Sequence, residues 1–479
     1  MALDMGMFET INPSRFITFT IPSPPLSHHD HHNDNHLLRV AVLDSPVQLS
    51  DSLAQPQVAL MFVPKHREHD WIFSTESGHL QLLLSCHQFS RLILIGDEPT
   101  TEDSPDLPIT TKHDSFDQKS LEDSVKPLVI ALSRKFCFDK NGIYNVPLLS
   151  YEDNVVSSVV LEKCVGDFAG EMLVEDVEIE SEGGECRKRE FRRRLRFKRM
   201  PNLVQTEVKL VPEAAISLDS VKIGGKVRFR PHIGVLVHVY LVPMVSSCAL
   251  IGSYIGERIR FGFRPKALCV GVGGGALVSF LRTQLDFEVV GVEMDEVVLR
   301  VARQYFGLED GEFLQVSVGD AIEFLEKLAR QIVGKNPDSF GACSLKDGNF
   351  LDNSDRVDNK FDVIMVDLDS GDARNGTSAP PLEFVRKDVL LAARSILSDF
   401  GIFVMNVIPP NRSFYDMLIQ EFREVFQELY EIDVGNEENF VLIATGLSIV
   451  SSGSDCENAF GKKLRLLISG EYMDSIRKI

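Results

Sequence analysis

The amino-acid sequence predicts an α/β protein whose C-terminal half forms a Rossmann-like, largely parallel sheet. Residues 267–295 read as strand, glycine turn, helix, strand and acid, which is the order of a nucleotide-binding βαβ unit. Apolar runs then alternate with helical patterns of apolar residues as far as residue 429. Two final strands, at 429–434 and 439–445, are joined by a turn too short for a crossover, so they must pair antiparallel.

The chain of 479 residues has room for two or three domains. We expect a disordered, histidine-rich segment first, then a β-rich α/β region and a helical connector. A catalytic domain follows, interrupted by a disordered Asn/Asp/Gly-rich insertion, and a helical extension ends the chain. These parts correspond, in the same order, to residues 1–36, 37–230, 231–262, 263–449 with the insertion at 334–360, and 450–479.

The composition excludes several classes of protein. The formal net charge of −20 disfavours a general nucleic-acid or anionic-membrane binder and suits a basic protein partner. No apolar run approaches ~18 residues, the length of a membrane-spanning helix. The first residues, MALDMGMFET, lack the regions of a secretory signal, and the eight cysteines form no CxxC pair. Free thiols of this kind indicate a reducing compartment, so we expect a cytoplasmic protein.

A histidine-rich stretch, SHHDHHNDNH, occupies residues 27–36. Histidine and aspartate side chains can hold a metal ion, but nothing in this stretch fixes a coordination geometry. We therefore expect a disordered linker and no metal site.

Short apolar runs predict strands in the N-terminal half. The predicted strands lie at 16–21, 40–43, 58–63 and 92–95, and strand-like character resumes at 128–132 and 143–149. Residues 97–124 are polar and contain prolines, which is typical of a loop.

Residues 171–199 predict a β-hairpin. Acids alternate with apolar residues before Gly183 and Gly184, and arginines alternate with apolar residues after them, which is the period of a strand. The basic run RKREFRRRLRFKR would also suit a nuclear signal, a nucleic-acid patch, or contact with an acidic or phosphorylated partner. We favour an acidic strand paired with a basic one, because the charges then neutralise each other across the ladder.

The glycine turn carries candidate cofactor contacts. Gly271, Gly273, Gly274 and Gly275 let the backbone approach a ligand closely and allow positive φ. Glu293 ends the second strand about twenty residues later, where an acid can accept hydrogen bonds from both ribose hydroxyls. Because the motif also reads as G-x-G-x-x-A, an NAD-binding protein and a purely structural turn are alternatives at this point.

Further candidates lie at the carboxyl ends of later strands. Asp320, followed by Ala321, is placed to meet an adenine amino group, and Met294 either packs on the adenine or belongs to the core. Asp367 and Asp369 follow the fourth strand, at the mouth of the cleft. Five strand–helix units with a terminal antiparallel pair are the layout of the seven-stranded S-adenosylmethionine-dependent methyltransferase fold. A nicotinamide dehydrogenase would continue with parallel units.

Residues 361–385, FDVIMVDLDSGDARNGTSAPPLEFV, closely resemble the C-terminal half of the methyltransferase-like protein 13 family. The likeness extends to FRRRLRFKRMPNLVQTEVKLV at 191–211 and, in PSRFITFTIP and LRVAVLDSP, to the family's plant members. The resemblance implies S-adenosylmethionine-dependent methylation of an N-terminal α-amine or a lysine of translation elongation factor 1-alpha. The family's second methyltransferase domain has no counterpart here, so we expect the N-terminal activity alone. Residues 239–253 lack the Tyr-His pair that the resemblance leads us to expect.

The catalytic half is also similar to spermidine synthases. Those enzymes carry an acid directly after the glycine triplet, where it holds the aminopropyl amine, and Ala276 occupies that position here. We therefore disfavour an aminopropyltransferase. A non-catalytic scaffold is a further alternative, disfavoured because a scaffold has no physical need for Glu293 or for the Asp367 motif.

Methyl transfer to an amine is an in-line displacement, for which a protein must hold a neutral amine about 3 Å from the methyl group and exclude water. We hypothesise that Asp367, with Asp369 close by, orients the amine through hydrogen bonds and takes its proton. The alternative is that Asp367 contacts only the cofactor and that Asp369 caps the next loop.

Overall fold

The structure is a computed structural model. It describes residues 8–23, 37–46, 57–86, 88–98, 109–110, 118–133, 146–181, 188–213, 221–334, 360–371, 379–436, 438–448 and 458–479. These residues form three β-sheets, of five, six and eight strands, so the predicted mixed α/β class is confirmed. Within this described part, no helix is long and apolar enough to cross a membrane.

Strands are numbered here in chain order. They are β1 (Phe16–Pro22), β2 (Leu37–Asp44), β3 (Gln57–Phe62), β4 (Phe89–Asp97), β5 (Ile109–Thr110), β6 (Leu148–Leu149), β7 (Val155–Gly166), β8 (Gly170–Ser181), β9 (Lys188–Phe197), β10 (Val204–Pro212), β11 (Phe229–Pro231), β12 (Lys266–Val270), β13 (Glu288–Glu293), β14 (Leu314–Val318), β15 (Phe361–Val366), β16 (Leu397–Val407), β17 (Glu428–Asp433), β18 (Phe440–Thr445) and β19 (Arg477–Lys478).

The helices are numbered in the same way. They are α1 (Trp71–Ser74), α2 (Glu76–Ser85), α3 (Gln118–Leu132), α4 (Leu241–Ser246), α5 (Gly252–Arg260), α6 (Ala276–Gln284), α7 (Glu296–Tyr305), α8 (Ala321–Gly334), α9 (Lys387–Ile396), α10 (Arg412–Arg423), α11 (Ala459–Leu467) and α12 (Glu471–Asp474), with 3-10 turns at Ser247–Ile251 and Leu382–Val385.

The N-terminal sheet has the strand order β1-β2-β4-β3-β6. Strands β1, β2 and β4 pair antiparallel, whereas β3 runs parallel to both β4 and β6. The four strands predicted between residues 16 and 95 are therefore confirmed. Strand β1 also lies inside the segment 1–36 that was expected to be disordered, and this correction follows from its alternating pattern, which pairs with β2. The histidine-rich stretch lies outside the described residues.

Helix α3 corrects two expectations. It covers residues 128–132, expected to be strand-like, and begins within residues 97–124, expected to be a loop. The buried residues Val125, Val129 and Leu132 pack against the N-terminal sheet. Their spacing of four and three residues places them on one face of a helix, so the apolar run near residue 130 has the period of a helix and not that of a strand.

The second sheet is antiparallel and has the order β11-β10-β9-β8-β7-β5. Strands β8 and β9 form the predicted hairpin, which is confirmed. Acidic and basic side chains meet across it, as in the ion pairs Arg189–Glu178 at 2.5 Å and Arg193–Asp176 at 2.7 Å. The favoured interpretation of the basic run, mutual neutralisation on paired strands, is therefore confirmed, and strand β10 adds Glu207, which pairs with Arg194 at 2.7 Å.

The C-terminal sheet has the order β14-β13-β12-β15-β16-β18-β17-β19. Strands β12 to β16 pair parallel with their neighbours. Strand β18 pairs antiparallel with β16 and β17, which confirms the predicted terminal pair. Parallel strands bring their carboxyl ends to one edge. The glycine turn after β12, Glu293 at the end of β13 and Asp367 after β15 consequently meet at this edge, called here the carboxyl edge.

Two elements near the end of the chain differ from expectation. The helix expected from residue 382 is interrupted at Arg386, whose extended backbone (ψ 139°) separates a 3-10 turn from α9. The extension 450–479 is not wholly helical, because β19 adds an eighth strand beside β17. Arg477 and Lys478 form ion pairs there with buried glutamates of β17. Most of the insertion expected at 334–360 lies outside the described residues.

The antiparallel sheet packs on helix α7. Each buried apolar side chain in such an interface contributes about 1.5–3 kcal/mol. Arg193 Nη1 also donates to the carbonyl oxygen of Tyr305 at 2.7 Å. This docking brings the turn between β9 and β10 to the carboxyl edge. The apolar side chains of the interface include Val174, Leu195 and Val208 from the sheet and Val298, Val301 and Phe306 from α7 and its end.

Candidate active site

The glycine turn between β12 and α6 lies at the carboxyl edge. Gly271, Gly273 and Gly275 have φ values of 80°, 52° and 84°, a region that favours glycine. A Cβ atom added to Gly271 would collide with the carbonyl oxygen of Asp367. Glycine at this position is therefore what allows the turn to approach the end of β15.

Glu293 lies directly beside the glycine turn. Its Oε2 accepts hydrogen bonds from the backbone N–H groups of Val272 and Gly273, both at 3.1 Å, and its Oε1 accepts one from Asp295 at 3.2 Å. Burial raises the pKa of Glu293, while these backbone hydrogen bonds lower it. A carboxylate offers about four acceptor positions, so Glu293 shapes the turn and still has capacity to bind a ligand.

Met294, Asp320 and Ala321 follow the adjacent strands. Met294 is 44% exposed, which rules out the core position that the sequence left open. Asp320 Oδ1 accepts hydrogen bonds from the backbone N–H groups of Ile322 and Glu323, at 2.7 and 3.3 Å, and so caps helix α8, which Ala321 begins. The structure brings these residues to the same edge as Glu293.

Asp367 has a protein donor on each carboxylate oxygen. Tyr240 Oη donates to Oδ2 at 3.1 Å, and Asn406 Nδ2 donates to Oδ1 at 3.2 Å. The pKa of Asp367 is raised to about 6 as the net result of burial, which raises it most, of the hydrogen bonds from Asn406 and Tyr240, which lower it, and of the neighbouring Asp369 carboxylate, which raises it. Asp367 is therefore largely ionised at neutral pH and basic enough to take up a proton.

Both carboxylate oxygens of Asp369 are also engaged. Arg199 Nη2 donates to Oδ1 at 3.1 Å, and Gln205 Nε2 donates to Oδ2 at 2.9 Å. Both donors belong to the antiparallel sheet, on the turn after β9 and at the start of β10. Asp369 thus ties the loop after β15 to that turn, which favours the alternative that it holds the loop over the hypothesis that it orients an amine.

Several residues at the site were missed in the sequence. Thr206 Oγ1 accepts a hydrogen bond from the backbone N–H of Gly274 at 2.8 Å, so Thr206, Gln205 and Arg199 form a wall over the carboxyl edge. Their positions follow from the docking of two sheets, for which the local sequence carries no signal. The run VQTE at 204–207 has the alternation of a strand and nothing that indicates a site.

Tyr240 was also missed, although it lies in the segment 239–253 that was expected to lack a Tyr-His pair. Its ring stacks on His238, with ring centroids 5.5 Å apart. Burial raises the pKa of Tyr240 well above its ordinary value and lowers the pKa of His238. The tyrosine therefore contacts Asp367, whereas His238, just before the segment, contacts the ring of Tyr240.

The carboxyl edge thus combines an open glycine turn with several acids, of which Glu293 and Asp367 have a raised pKa. Acids favour a cationic ligand, and a carboxylate of this pKa can accept a proton from an amine. In the part of the chain that the structure describes, no group of three or more His, Cys, Asp or Glu side chains is arranged to hold a metal ion.

Comparison with known proteins gives relatives in sequence, although no protein-family model matches the chain. The eEF1A lysine and N-terminal methyltransferase of Xenopus laevis is 27% identical over 421 residues, which cover 84% of this chain and 52% of that protein. The protein of the same name from Danio rerio is 28% identical over 401 residues, covering 80% of this chain and 50% of that protein. The chain spans about half the length of the curated relatives it matches. A polyamine aminopropyltransferase of Vibrio vulnificus is 25% identical over 194 residues, covering 39% of this chain and 52% of that protein.

Solved structures are also similar. Human methyltransferase-like protein 13 in complex with SAH is 24% identical and covers 48% of this chain and 92% of its own, with a TM-score of 0.39. Spermidine synthase from Thermotoga maritima is 14% identical and covers 66% of this chain and 83% of its own, with a TM-score of 0.37. The resemblance drawn from residues 361–385 and 191–211 is confirmed at the level of sequence: over 80–84% of its length, this chain is similar to curated proteins named eEF1A lysine and N-terminal methyltransferase.

Proposed function

We propose that this chain is an S-adenosylmethionine-dependent protein N-methyltransferase that acts on an amine of translation elongation factor 1-alpha. The observation that carries the proposal is Asp367, a carboxylate of raised pKa next to a glycine turn and an acid-lined edge. We assign the strand order of the C-terminal sheet to the methyltransferase fold, with residues 263–449 as its domain. The sequence similarity supports the acceptor, and the net charge of −20 suits a basic protein substrate. A cytoplasmic location stays a prediction.

The residues of the carboxyl edge fit S-adenosylmethionine. Gly271 leaves room for close approach, Glu293 retains acceptor capacity for ribose hydroxyls, and the exposed Met294 side chain offers a surface for the adenine. Asp320 would meet the adenine amino group, since it lies exposed at the end of β14. When bound, the cofactor supplies an electrophilic methyl group next to a sulfonium charge, which the surrounding acids stabilise.

Asp367 orients the acceptor amine and takes its proton. An α-amine has a pKa of about 7.7–8.0, so a fair fraction is neutral near pH 7.5. Because Asp367 is ionised at that pH, it can accept a hydrogen bond from the neutral amine and then the proton that methylation releases. Tyr240 stays protonated, since burial raises its pKa well above the usual value, and it keeps donating to Asp367 Oδ2.

Methyl transfer is expected to fall as the pH drops below about 6, because Asp367 then becomes protonated and can no longer accept a hydrogen bond from the amine. The measurement is kcat against pH at saturating acceptor peptide, since kcat reports groups in the bound complex. The free acceptor amine titrates separately. Its pKa, about 7.7–8.0 for an α-amine, affects kcat/KM and not kcat. A kcat that stays constant down to pH 4.5 would contradict the role of Asp367.

Replacing Glu293 with alanine is expected to weaken binding of S-adenosylmethionine and S-adenosylhomocysteine by about 10- to 100-fold, the cost of losing hydrogen bonds to a charged acceptor. Isothermal titration measures this, with Glu296→Ala as the matched control, because Glu296 is an exposed acid at the start of the next helix. Unchanged affinity in Glu293→Ala would remove Glu293 from the site. If the wild-type protein binds neither compound, the chain is a scaffold and not an enzyme.

An aminopropyltransferase is the second candidate, favoured by the similarity to the Vibrio vulnificus protein. Two features oppose it. Ala276 stands where a carboxylate is expected to hold the aminopropyl amine, and the Arg199 guanidinium lies within 3.1 Å of Asp369, where it would repel a diamine. Product analysis with putrescine and decarboxylated S-adenosylmethionine distinguishes the two: aminopropyl transfer at a rate equal to or above methyl transfer would reverse the assignment.

A further inference from the structure

Three asparagine side chains form a row that leads from the turn between β17 and β18 to Asp367. Asn436 Nδ2 donates to Asn439 Oδ1 at 2.8 Å, Asn439 Nδ2 donates to Asn406 Oδ1 at 2.9 Å, and Asn406 Nδ2 donates to Asp367 Oδ1 at 3.2 Å. The row passes from the turn before β18 to Asn406 in β16 and ends at the loop after β15. It therefore links the antiparallel end of the C-terminal sheet to the proposed general base.

The direction of the row is fixed at its outer end. Asn436 Oδ1 accepts the backbone N–H groups of Asn439 at 2.9 Å and Glu438 at 3.3 Å. A backbone N–H can only donate, so the amide oxygen of Asn436 must face the turn and its NH₂ group must face Asn439. The same reasoning then orients Asn439 and Asn406 in turn, and the NH₂ group of Asn406 is the one that faces Asp367.

Burial makes each step of this orientation costly to reverse. Asn406 and Asn439 are 4% and 5% exposed. A flipped amide would place two oxygens against each other and leave a buried donor without a partner, which costs about 1–3 kcal/mol. Asn436 lies at the surface, and two backbone N–H groups fix the orientation of its side-chain amide. Through the hydrogen bonds of the row, Asn436 therefore fixes the orientation of the two buried amides as well.

The groups that face Asp367 explain why this orientation matters. Tyr240 reaches it from the connector, Asp369 lies on its own loop, and Asn406 approaches from β16. Cys269 faces it from β12, and the Asp367 carboxylate helps to raise the pKa of that thiol. Tyr240 and Asn406 donate hydrogen bonds that favour the ionised carboxylate, whereas burial and the Asp369 charge disfavour it. If the amide oxygen of Asn406 faced Asp367 instead, it would also disfavour the ionised carboxylate.

We propose that Asn406, oriented by Asn439 and Asn436, is a positioning residue that keeps Asp367 ionised and its Oδ1 fixed, so that Oδ2 is directed toward Tyr240 and the acceptor amine. This inference rests on the proposed function in one respect, the identity of Asp367 as the proton acceptor. The orientation of the three amides stands on their hydrogen bonds alone.

The test replaces Asn439 with aspartate, a side chain of the same shape that can only accept when ionised. Asn406 must then turn its NH₂ group toward residue 439 and its oxygen toward Asp367. We expect the pKa of Asp367, read by carbon-13 NMR of labelled aspartate and assigned with Asp367→Asn, to rise by about one unit. The acid limb of kcat should move upward by the same amount, a loss of about fivefold at pH 6, while the plateau at high pH and the affinity for S-adenosylhomocysteine stay unchanged.

Two controls separate orientation from charge and from damage to the fold. Asn411→Asp makes the same chemical change at an exposed helix N-cap, where aspartate caps equally well, and should shift nothing. In an Asn406→Ala background, Asn439→Asp should add little further shift, because the intervening amide is gone. A full shift in that background would show a through-space charge effect and overturn the inference. So would an unchanged pKa of Asp367 in Asn439→Asp.

The NMR titration also separates this inference from the proposed function. If the wild-type protein transfers no methyl group at any pH, the proposed function fails, and the pKa of Asp367 in the Asn439 variant still decides whether the amides orient it. If the wild-type protein is active and Asn439→Asp lowers kcat equally at every pH, Asn439 has only a structural role and the inference fails.

Discussion

Asp367→Asn is expected to reduce methyl transfer by about 10³-fold, within the range that a positioned proton acceptor contributes. An asparagine at 367 can still accept the hydrogen bond from Asn406, but it cannot take a proton from the amine. Binding of S-adenosylhomocysteine is expected to persist. Single-turnover kinetics with an acceptor peptide and isothermal titration measure the two quantities separately.

The same variant is expected to be at least as stable as the wild type. The folded-state pKa of Asp367, about 6, lies above the ordinary value of about 3.9, so the folded state loses stability as the pH rises through this interval. At pH 7 the charge costs about 1–3 kcal/mol, and asparagine removes that cost. A melting temperature equal to or above that of the wild type would show that lost activity is not lost folding. Loss of cofactor binding instead would mean that Asp367 contacts only the cofactor.

Arg196→Met is expected to lower the free energy of unfolding by about 3–5 kcal/mol, the largest change in stability that we predict. The Arg196 side chain is 7% exposed and forms ion pairs with Asp70 and Glu175, both at 2.9 Å. Methionine fills similar volume but leaves two buried carboxylates short of a cation. Urea denaturation followed by circular dichroism measures the change.

Arg228→Met is the matched control for this prediction. Arg228 pairs with Glu213 at 3.5 Å, but its side chain is 88% exposed, and exposed pairs contribute about 0–1 kcal/mol. Both variants remove one positive charge. The difference between their free energies of unfolding therefore measures the effect of burial. If Arg196→Met and Arg228→Met destabilise the protein equally, the ion pair of Arg196 with Asp70 does not hold the start of helix α1 to the antiparallel sheet.

The elements that could be predicted from the sequence are those whose signal is local. The glycine turn, Glu293 and the strand before Asp367 are each recognisable within a few residues, and parallel strands necessarily bring their carboxyl ends together. The β8–β9 hairpin was also predictable, because period-two alternation and a glycine pair define it. Helix α3 was not, since Val129 and Leu132 lie in a continuous apolar run, residues 128–132, that also suits a strand.

The wall of the site could not be predicted, because the role of its residues depends on contacts with residues far away in the sequence. Arg199 reads as one more charge in a basic run until it meets Asp369. Thr206 is an ordinary strand residue until its hydroxyl meets the N–H of Gly274. Strand β19 depends in the same way on ion pairs with the buried glutamates of β17. Two basic residues near the end of the chain do not by themselves predict such a strand.

The wall over the carboxyl edge also determines when, during synthesis, the site can first exist. Arg199 and Asp369 are 170 positions apart, and Gln205 and Asp369 are 164 apart. At about 5–20 residues per second, a ribosome makes the second partner on the order of 10–30 s after the first. The antiparallel sheet is therefore synthesised well before strand β15 and the loop with Asp369, which complete the cleft. A nascent chain thus gains its full binding site only after Asp369 has left the exit tunnel, and slow docking of the two sheets would delay activity without changing the finished fold.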